Sequence, residues 1–274
     1  MTVAEALITA SARLAPSSAS PRLDAELLLA SILEVSRGAL FARGDEALSE
    51  DRRRVFESQL DRRADQVPVA YLLGTQGFWT LDLLVNPDVL VPRPETELLV
   101  EWALEVFPPG AGRIADLGTG SGALALALAS ERPQSQVLAT DISTAALGVA
   151  QSNAMRCGIA NLSFAAGSWF EALHGRFDLI VANPPYIAAG DPHLPALRHE
   201  PLLALSDQAD GLACLREIIA DAGEYLLPRS WLLVEHGYDQ GAAVRAQFER
   251  AGFVEIATRR DLDGNERASG GRRG

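Results

Sequence analysis

Cysteine, basic charge and long apolar runs are all scarce in this chain of 274 residues. The two cysteines, Cys157 and Cys214, are too few for a disulfide framework, and their apolar, helix-like surroundings predict inert thiols and a cytoplasmic setting. No apolar run could cross a bilayer and no secretion signal is present, so we expect no membrane partner. The formal net charge of -12 argues against a partner held mainly through phosphates, so we expect no direct nucleic-acid partner.

Residues from Val3 to about Arg63 show helical periodicity throughout and predict a small helical bundle, which we assign to a domain of residues 1–75. Ser20 and Pro21 are typical of a helix start, as N-cap and first helical residue. The bundle holds no cluster of reactive side chains, so we interpret it as a substrate-recognition domain rather than a catalytic one. The predicted helices run from Val3 to Leu14, Leu23 to Val35, Arg37 to Ala42 and Arg52 to Arg63.

Residues 76–92 change to a period of two, which is typical of strands. Trp79, Leu81 and Leu83 alternate, the run from Asn86 to Asp88 is turn-forming, and Val89 to Val91 is apolar again. We predict a β-hairpin that joins the bundle to a second domain at residues 93–274.

That second domain has short apolar strands in alternation with helical segments. This order predicts an α/β fold with a mostly parallel sheet and helices on both faces. The predicted strands run from Ile114 to Leu117, Val137 to Thr140, Leu162 to Ala166, Ile180 to Ala182, Trp231 to Glu235 and Val254 to Thr258.

A glycine-rich loop follows the first of these strands and precedes a helix; its residues are Gly118, Thr119, Gly120, Ser121 and Gly122. Asp141 ends the next strand, roughly twenty residues on, which is the spacing of an adenosine site. The glycines let a ligand approach the backbone, and the acid accepts hydrogen bonds from ribose hydroxyls. The loop also fits the dinucleotide fingerprint, so a nicotinamide-dependent oxidoreductase stays an alternative, as does a non-catalytic binding module.

The run Asn183, Pro184, Pro185 and Tyr186 stops a buried strand abruptly, because proline cannot continue it. Asn183 offers a side-chain oxygen, Pro184 a directed carbonyl and Tyr186 a flat ring. We predict that these residues clamp a planar group bearing NH2, with Asn183, Pro184 and Tyr186 catalytic. The clamp favours S-adenosylmethionine over a dinucleotide, as does Asp116, which can face a ligand ammonium just before the glycine loop.

The chain resembles the release-factor glutamine methyltransferases, which modify the glutamine of the Gly-Gly-Gln motif in bacterial release factors. The similar runs are Pro21 to Leu28, Pro92 to Glu97, Asp116 to Gly122, Asn183 to Ile187, Glu235 to Gly237 and Asp263 to Arg267. The resemblance implies a Rossmann-like class I methyltransferase sheet behind an N-terminal helical domain, S-adenosylmethionine as cofactor, release factors as partners in translation termination, and no metal. It also implies that Asp141, Trp169 and the glycine loop line the cofactor and that Asn183 to Tyr186 hold the glutamine. We expect a monomer.

Two positions depart from the family pattern. Ser168 stands where the family usually has an aspartate before Trp169, and residues 268–273 are poor in strand formers, so we expect a frayed sheet edge there. Two related substrates also remain open: the glutamine of a large-subunit ribosomal protein and the amino group of adenine in nucleic acid, which suits the same kind of clamp.

Overall fold

The computed structural model describes residues 1–274, and the chain divides into two compact units, Met1–Thr75 and Gln76–Gly274. The first unit has helices and connecting loops but no strand until its last residue, Thr75, where strand β1 (Thr75–Phe78) begins. Its helices are α1 Val3–Leu14, α2 Pro21–Leu33, α3 Arg37–Ala42, α4 Glu50–Ala64 and α5 Val69–Leu73. Four of them follow the predicted segments, and the short α5 is additional.

The helical unit has its own apolar core and its own buried ion pair. Leu14, Leu28 and Phe56 are almost fully buried and belong to one cluster of α1, α2 and α4 side chains. Arg63 Nε donates to the buried Asp24 carboxylate at 2.7 Å, which ties α4 to α2. A buried carboxylate is costly unless it is paired, so this contact fixes how the two helices pack.

The second unit has a two-stranded sheet and a seven-stranded sheet surrounded by helices. Its strands are β1 Thr75–Phe78, β2 Leu81–Leu84, β3 Arg113–Leu117, β4 Gln136–Asp141, β5 Leu162–Ala166, β6 Phe177–Ala182, β7 Leu226–Glu235, β8 Phe253–Arg260 and β9 Glu266–Arg273. Its helices are α6 Glu97–Val106, α7 Ala123–Glu131, α8 Thr144–Cys157, α9 Leu202–Leu205, α10 Ala213–Tyr225 and α11 Gly241–Arg250, with 3₁₀ turns at Pro94–Thr96 and Leu194–Leu197.

The large sheet has the strand order β5-β4-β3-β6-β7-β9-β8. The first five strands pair in parallel, and β9 runs antiparallel to both β7 and β8. The chain winds outward from β3 to β5 and then crosses back to β6 on the other side of β3. Open α/β sheets bind ligands at the carboxyl ends of their strands where the order reverses in this way, so the topology selects the β3–β6 edge.

Both faces of the sheet are covered, which explains the continuous apolar character of its central strands. In β3, Ile114 packs in the core on one face, whereas Ala115 and Leu117 belong to the core on the other. All three side chains are fully buried. This rigid centre holds the ends of β3 and β6 in place.

The predicted frayed edge at residues 268–273 is wrong. Glu266–Arg273 is β9, an inner strand between β7 and β8. A Cβ atom on Gly270 would lie 2.5 Å from Leu233 Cδ2 and 3.0 Å from Trp102, and one on Gly271 would lie 2.9 Å from Phe248. The glycines therefore make room for large side chains on both faces, which compensates for their low strand propensity.

The predicted hairpin turn at residues 86–88 is also wrong. The structure turns at Trp79, which has a positive φ of 55°, and its backbone N–H donates to Glu97 Oε1 at 2.7 Å. Residues 85–92 form no strand, since the Val91 N–H donates to the buried Glu200 carboxylate at 3.0 Å instead. From Gln76 on, the hairpin belongs to the second unit, where Leu83 enters the core.

No helix has the length and apolar content that crossing a membrane requires. Cys157 and Cys214 are both free and half-buried. No group of three or more His, Cys, Asp or Glu side chains has the arrangement of a metal site.

Candidate active site

A cavity of about 320 Å³ lies at the carboxyl ends of β3, β4 and β6. Its size falls in the range of small-molecule pockets, roughly 300–1,000 Å³. Most of the predicted site residues line it: Asp116, Gly118, Thr119, Gly120, Ser121, Asp141, Trp169, Asn183 and Pro185. The topology thus brings together three strand ends that are far apart in sequence.

The glycine loop forms one wall of the cavity. Gly118 and Gly120 have φ values of 71° and 56°, which side chains other than glycine rarely adopt. The N–H groups of Gly118 and Thr119 both donate to the Thr140 carbonyl at 2.9 Å, so the loop is anchored to the end of β4. Gly122 does not line the cavity; its Cα faces Leu126 and Ala150, and a Cβ there would lie 3.0 Å from Leu126 Cδ1.

Asp116 is a buried carboxylate with one unused oxygen. Its Oδ2 accepts hydrogen bonds from Thr119 Oγ1 at 2.6 Å and from the Ala125 N–H at 3.2 Å, while Oδ1 is buried without a partner. Burial raises its pKa to about 7, against the opposing effect of these two donors. An unpaired buried acceptor is unfavourable. A cationic ligand group in the cavity would satisfy it.

Asp141 connects the loop to the end of β4. Its Oδ2 accepts from the Gly120 N–H at 2.9 Å and its Oδ1 from the Ser143 N–H at 2.8 Å. Each oxygen keeps a further lone pair for a ligand hydroxyl. Burial raises the pKa of this carboxyl, and the backbone donors oppose that rise.

Trp169 and Ser168 lie at a third side of the cavity. Trp169 has a positive φ of 41°, and its ring comes so close to the loop that a Cβ on Gly118 would lie 3.3 Å from it. Its indole N–H donates to Glu217 Oε2 at 3.2 Å. Ser168 donates its N–H to Glu171 Oε2 at 2.9 Å. Trp169 and Ile142, which is 60 % exposed, both line the cavity and offer apolar surface for a flat ring.

Two of the residues from Asn183 to Tyr186 line the cavity, and the other two are packed into the protein. Asn183 and Pro185 line the cavity, whereas Pro184 is buried and Tyr186 packs on the core of α10 and β7. The Tyr186 hydroxyl donates to Glu235 Oε1 at 3.1 Å, and burial raises the pKa of the phenol. Tyr186 therefore stays neutral and is held from behind.

Several residues that support this turn have no recognisable local signal in the sequence. Gln240 Nε2 donates to the carbonyls of Tyr186 and Gly211, at 3.0 and 3.1 Å. Thr96 and Glu235 also lie against the turn. Thr96 lies in the run Pro92 to Glu97 and Glu235 in the run Glu235 to Gly237. The resemblance of these two runs to the family was the one sequence signal that could have drawn attention to them.

His236, next to Glu235, is structural. It is fully buried, its Nδ1 donates to the Gly237 carbonyl at 2.8 Å, and its Nε2 accepts from the Ser269 hydroxyl at 2.8 Å. Burial lowers its pKa, so the ring is neutral. Both ring nitrogens are occupied and neither faces the cavity.

Comparison with solved structures defines the class of this fold. The ribosomal protein L11 methylase from Lactobacillus delbrueckii superposes with a TM-score of 0.51 and 24% identity, over 66% of this chain and 81% of that one. Together with the strand order and the cavity at the carboxyl edge, this likeness defines a Rossmann-like class I methyltransferase fold, as predicted. Residues 94–199 match the model of the methyltransferase small domain, and residues 5–74 match that of the PrmC N-terminal domain.

Full-length relatives define the family more narrowly. The release factor glutamine methyltransferase of Xylella fastidiosa strain Temecula1 is 52% identical over 92% of this chain and 93% of its own length. That of Coxiella burnetii is 47% identical over 100% of both chains. The chain belongs to the release factor glutamine methyltransferase family, which confirms the resemblance found in its motifs.

Proposed function

We propose that this chain transfers a methyl group from S-adenosylmethionine to the side-chain amide nitrogen of the glutamine in the Gly-Gly-Gln motif of peptide release factors. The bond from the methyl carbon to the sulfonium sulfur breaks, S-adenosylhomocysteine leaves, and the cationic amide then loses one proton to solvent. The observation that carries this proposal is one cavity with two different ends. One end has the glycine loop and the unsatisfied Asp116 oxygen, and the other has the Asn183 amide. Family membership supports the same chemistry.

The first end suits S-adenosylmethionine, which supplies a methyl group on a sulfonium. Asp116 Oδ1 would accept from the ligand ammonium, and Asp141 from the ribose hydroxyls. Gly118 and Gly120 leave room for the ligand next to the backbone, and Trp169 with Ile142 would enclose the adenine. In this proposal Asp141 and Trp169 have the roles predicted for them, and Ser168 is short enough not to fill the space beside Trp169.

The second end suits a primary amide. An amide nitrogen is a poor nucleophile because its lone pair is delocalised into the carbonyl. Asn183 Oδ1 and the Pro184 carbonyl would accept from the substrate NH2 and turn this lone pair toward the methyl group. Orientation of this kind can supply roughly 7–11 kcal/mol of a barrier. Pro185 would pack on the amide, and Tyr186 would support the turn from behind.

A transfer assay with isotope-labelled S-adenosylmethionine tests the proposal. Purified release factors should become labelled, and a release factor with the motif glutamine replaced by alanine should not. Parallel reactions should contain a large-subunit ribosomal protein with an exposed glutamine and a nucleic-acid substrate. Label confined to either of these, or preferential binding of NAD in calorimetry, would overturn the proposal.

We further propose that residues 1–75 dock the release factor and that the chain acts as a cytoplasmic monomer. None of the residues that line the candidate active site belongs to the helical unit, but this unit exposes large apolar side chains. Phe41 is 69 % exposed and Ile8 is 66 % exposed, and both lie on helices. A release factor docked on these helices would remove both side chains from water, which is favourable.

A further inference from the structure

Two similar runs of the sequence, Pro92 to Glu97 and Glu235 to Gly237, have no role in the proposed function so far. The structure brings one residue from each, Thr96 and Glu235, against the Asn183 turn, where Thr96 also lines the cavity and Glu235 does not. Thr96 follows the loop that leads into α6, and Glu235 is the last residue of β7. Both side chains are buried, with exposed fractions of 5 % and 1 %.

Thr96 contacts the Asn183 side chain directly. Asn183 Nδ2 donates to Thr96 Oγ1 at 3.2 Å. A hydroxyl can donate as well as accept, so this contact alone does not determine which end of the Asn183 amide faces the cavity. The direction depends on where the Thr96 hydrogen points.

Glu235 determines that direction. Its Oε1 accepts from the Tyr186 hydroxyl at 3.1 Å, and its Oε2 is buried without a hydrogen-bond partner. The Thr96 hydroxyl lies beside this carboxylate and opposes the rise in its pKa that burial causes. Glu235 Oε2 is thus a buried acceptor that lacks a donor, so the Thr96 hydrogen turns to Glu235 and the Thr96 lone pairs turn to the Asn183 NH2. Asn183 Oδ1 is then left for the cavity.

We propose that Thr96 and Glu235 are positioning residues, which fix the Asn183 amide with its oxygen toward the substrate and fix the Tyr186 ring behind it. This inference rests on the proposed function and identifies how the site selects a substrate NH2. With the amide reversed, its own NH2 would face the substrate NH2, and two donors would meet. The pair thus excludes the orientation that cannot bind a primary amide.

Threonine substitutions separate this role from simple packing. Thr96→Val keeps the size and removes the hydroxyl, and we expect turnover to fall about 10- to 100-fold with little change in the Kd of S-adenosylmethionine. Thr96→Ser should restore most of the activity. Glu235→Gln adds a hydrogen-bond donor where the carboxylate only accepts, and its turnover should fall as far as that of Thr96→Val. Thr258→Val is the matched control, since it removes a hydroxyl that contacts Arg245 and Ser269 rather than a residue of this turn, and its turnover should be unchanged.

A double-mutant cycle tests whether Thr96 acts through Asn183. In the Asn183→Ala background the amide is absent, so adding Thr96→Val should cause no further loss of turnover. An equal loss in both backgrounds would show a general structural effect and overturn the inference. So would wild-type turnover in Thr96→Val or in Glu235→Gln, with thermal unfolding used to confirm that each variant is folded.

A second measurement needs no methyl transfer, so it separates failure of this inference from failure of the proposed function. The chain has five asparagines, and selective ¹⁵N labelling with the Asn183→Ala variant assigns the Asn183 side-chain NH2 signal. We expect its hydrogens to exchange slowly in the wild type and faster in Thr96→Val and Glu235→Gln, but not in Thr258→Val. Equal exchange in all four proteins would overturn the inference, whatever the transfer assay shows.

Discussion

The affinity for S-adenosylmethionine should fall steeply below about pH 7, because protonation of Asp116 removes the anion that the ligand ammonium needs. Burial raises the pKa of this carboxyl to about 7 in the free protein. A bound ammonium beside Oδ1 would lower that pKa, so binding releases a proton in acidic solution. The limiting slope is tenfold per pH unit, and at about pH 5 the affinity should be about fiftyfold below its value at pH 7, where about half of the carboxyl is ionised.

The contribution of Asp116 to the stability of the free protein should change in the opposite direction and increase as the pH falls. Between the ordinary carboxyl value of 3.8 and about 7, the folded state binds more protons at Asp116 than the unfolded state does. The contribution of this group to the free energy of unfolding is therefore complete below 3.8 and decreases as the pH rises to about 7. Ligand binding above that pH should recover stability.

Calorimetric titration of the wild type and of Asp116→Asn at constant ionic strength tests this prediction. The measurements should stay below the amine pKa of the ligand, about 7.7–8.0 for an ordinary α-amino group. We expect weak binding by the variant that hardly changes with pH, since its amide cannot ionise. Thermal unfolding should confirm that it is folded. The same pH slope in both proteins, or a flat wild-type profile, would refute the reasoning.

Five further outcomes follow from the contacts described. Asn183→Ala should lower turnover about a hundred- to a thousandfold with the Kd of the cofactor nearly unchanged. The turnover of Asn183→Asp should be about as low, because its second oxygen would face Thr96 and the Glu235 carboxylate. Wild-type turnover in the alanine variant would show that Asn183 only caps the end of the strand. Asp141→Ala should weaken cofactor binding by about 1–3 kcal/mol, as measured by calorimetry, since ligand and loop both lose an acceptor. Gly270→Ala should lower the Tm without altering which residue is methylated, because its Cβ would lie 2.5 Å from Leu233; an unchanged Tm would contradict this packing. Removal of residues 1–75 should spare cofactor binding and abolish methylation of an intact release factor; normal methylation by the remaining, folded unit would exclude a docking role for them.

The sheet and the position of the cavity could be predicted because their signals are local. Glycines after a short apolar strand, an acid at the end of the next strand and two prolines at the end of a third each mark a strand end. Parallel strands of one sheet bring their carboxyl ends to the same edge. Asp116, Asp141 and Asn183 could therefore be expected at one cavity without knowledge of the tertiary contacts.

The features that could not be predicted depend on residues distant in sequence. Gly270 and Gly271 argue against a strand by propensity, yet Trp102 and Phe248 require small residues there. The hairpin turns at Trp79, a residue that rarely adopts a positive φ, because Glu97 accepts its N–H. For the same reason the contact of Asn183 with Thr96 has no signal in the spacing of either run.

Mass spectrometric mapping of methylated release factor tests the central claim most directly. Wild-type protein and S-adenosylmethionine should add one methyl group, located on the side-chain nitrogen of the Gly-Gly-Gln glutamine, and Asn183→Ala should add almost none under the same conditions. A methyl group on another residue, or equal modification of this glutamine by the Asn183→Ala variant, would contradict the account.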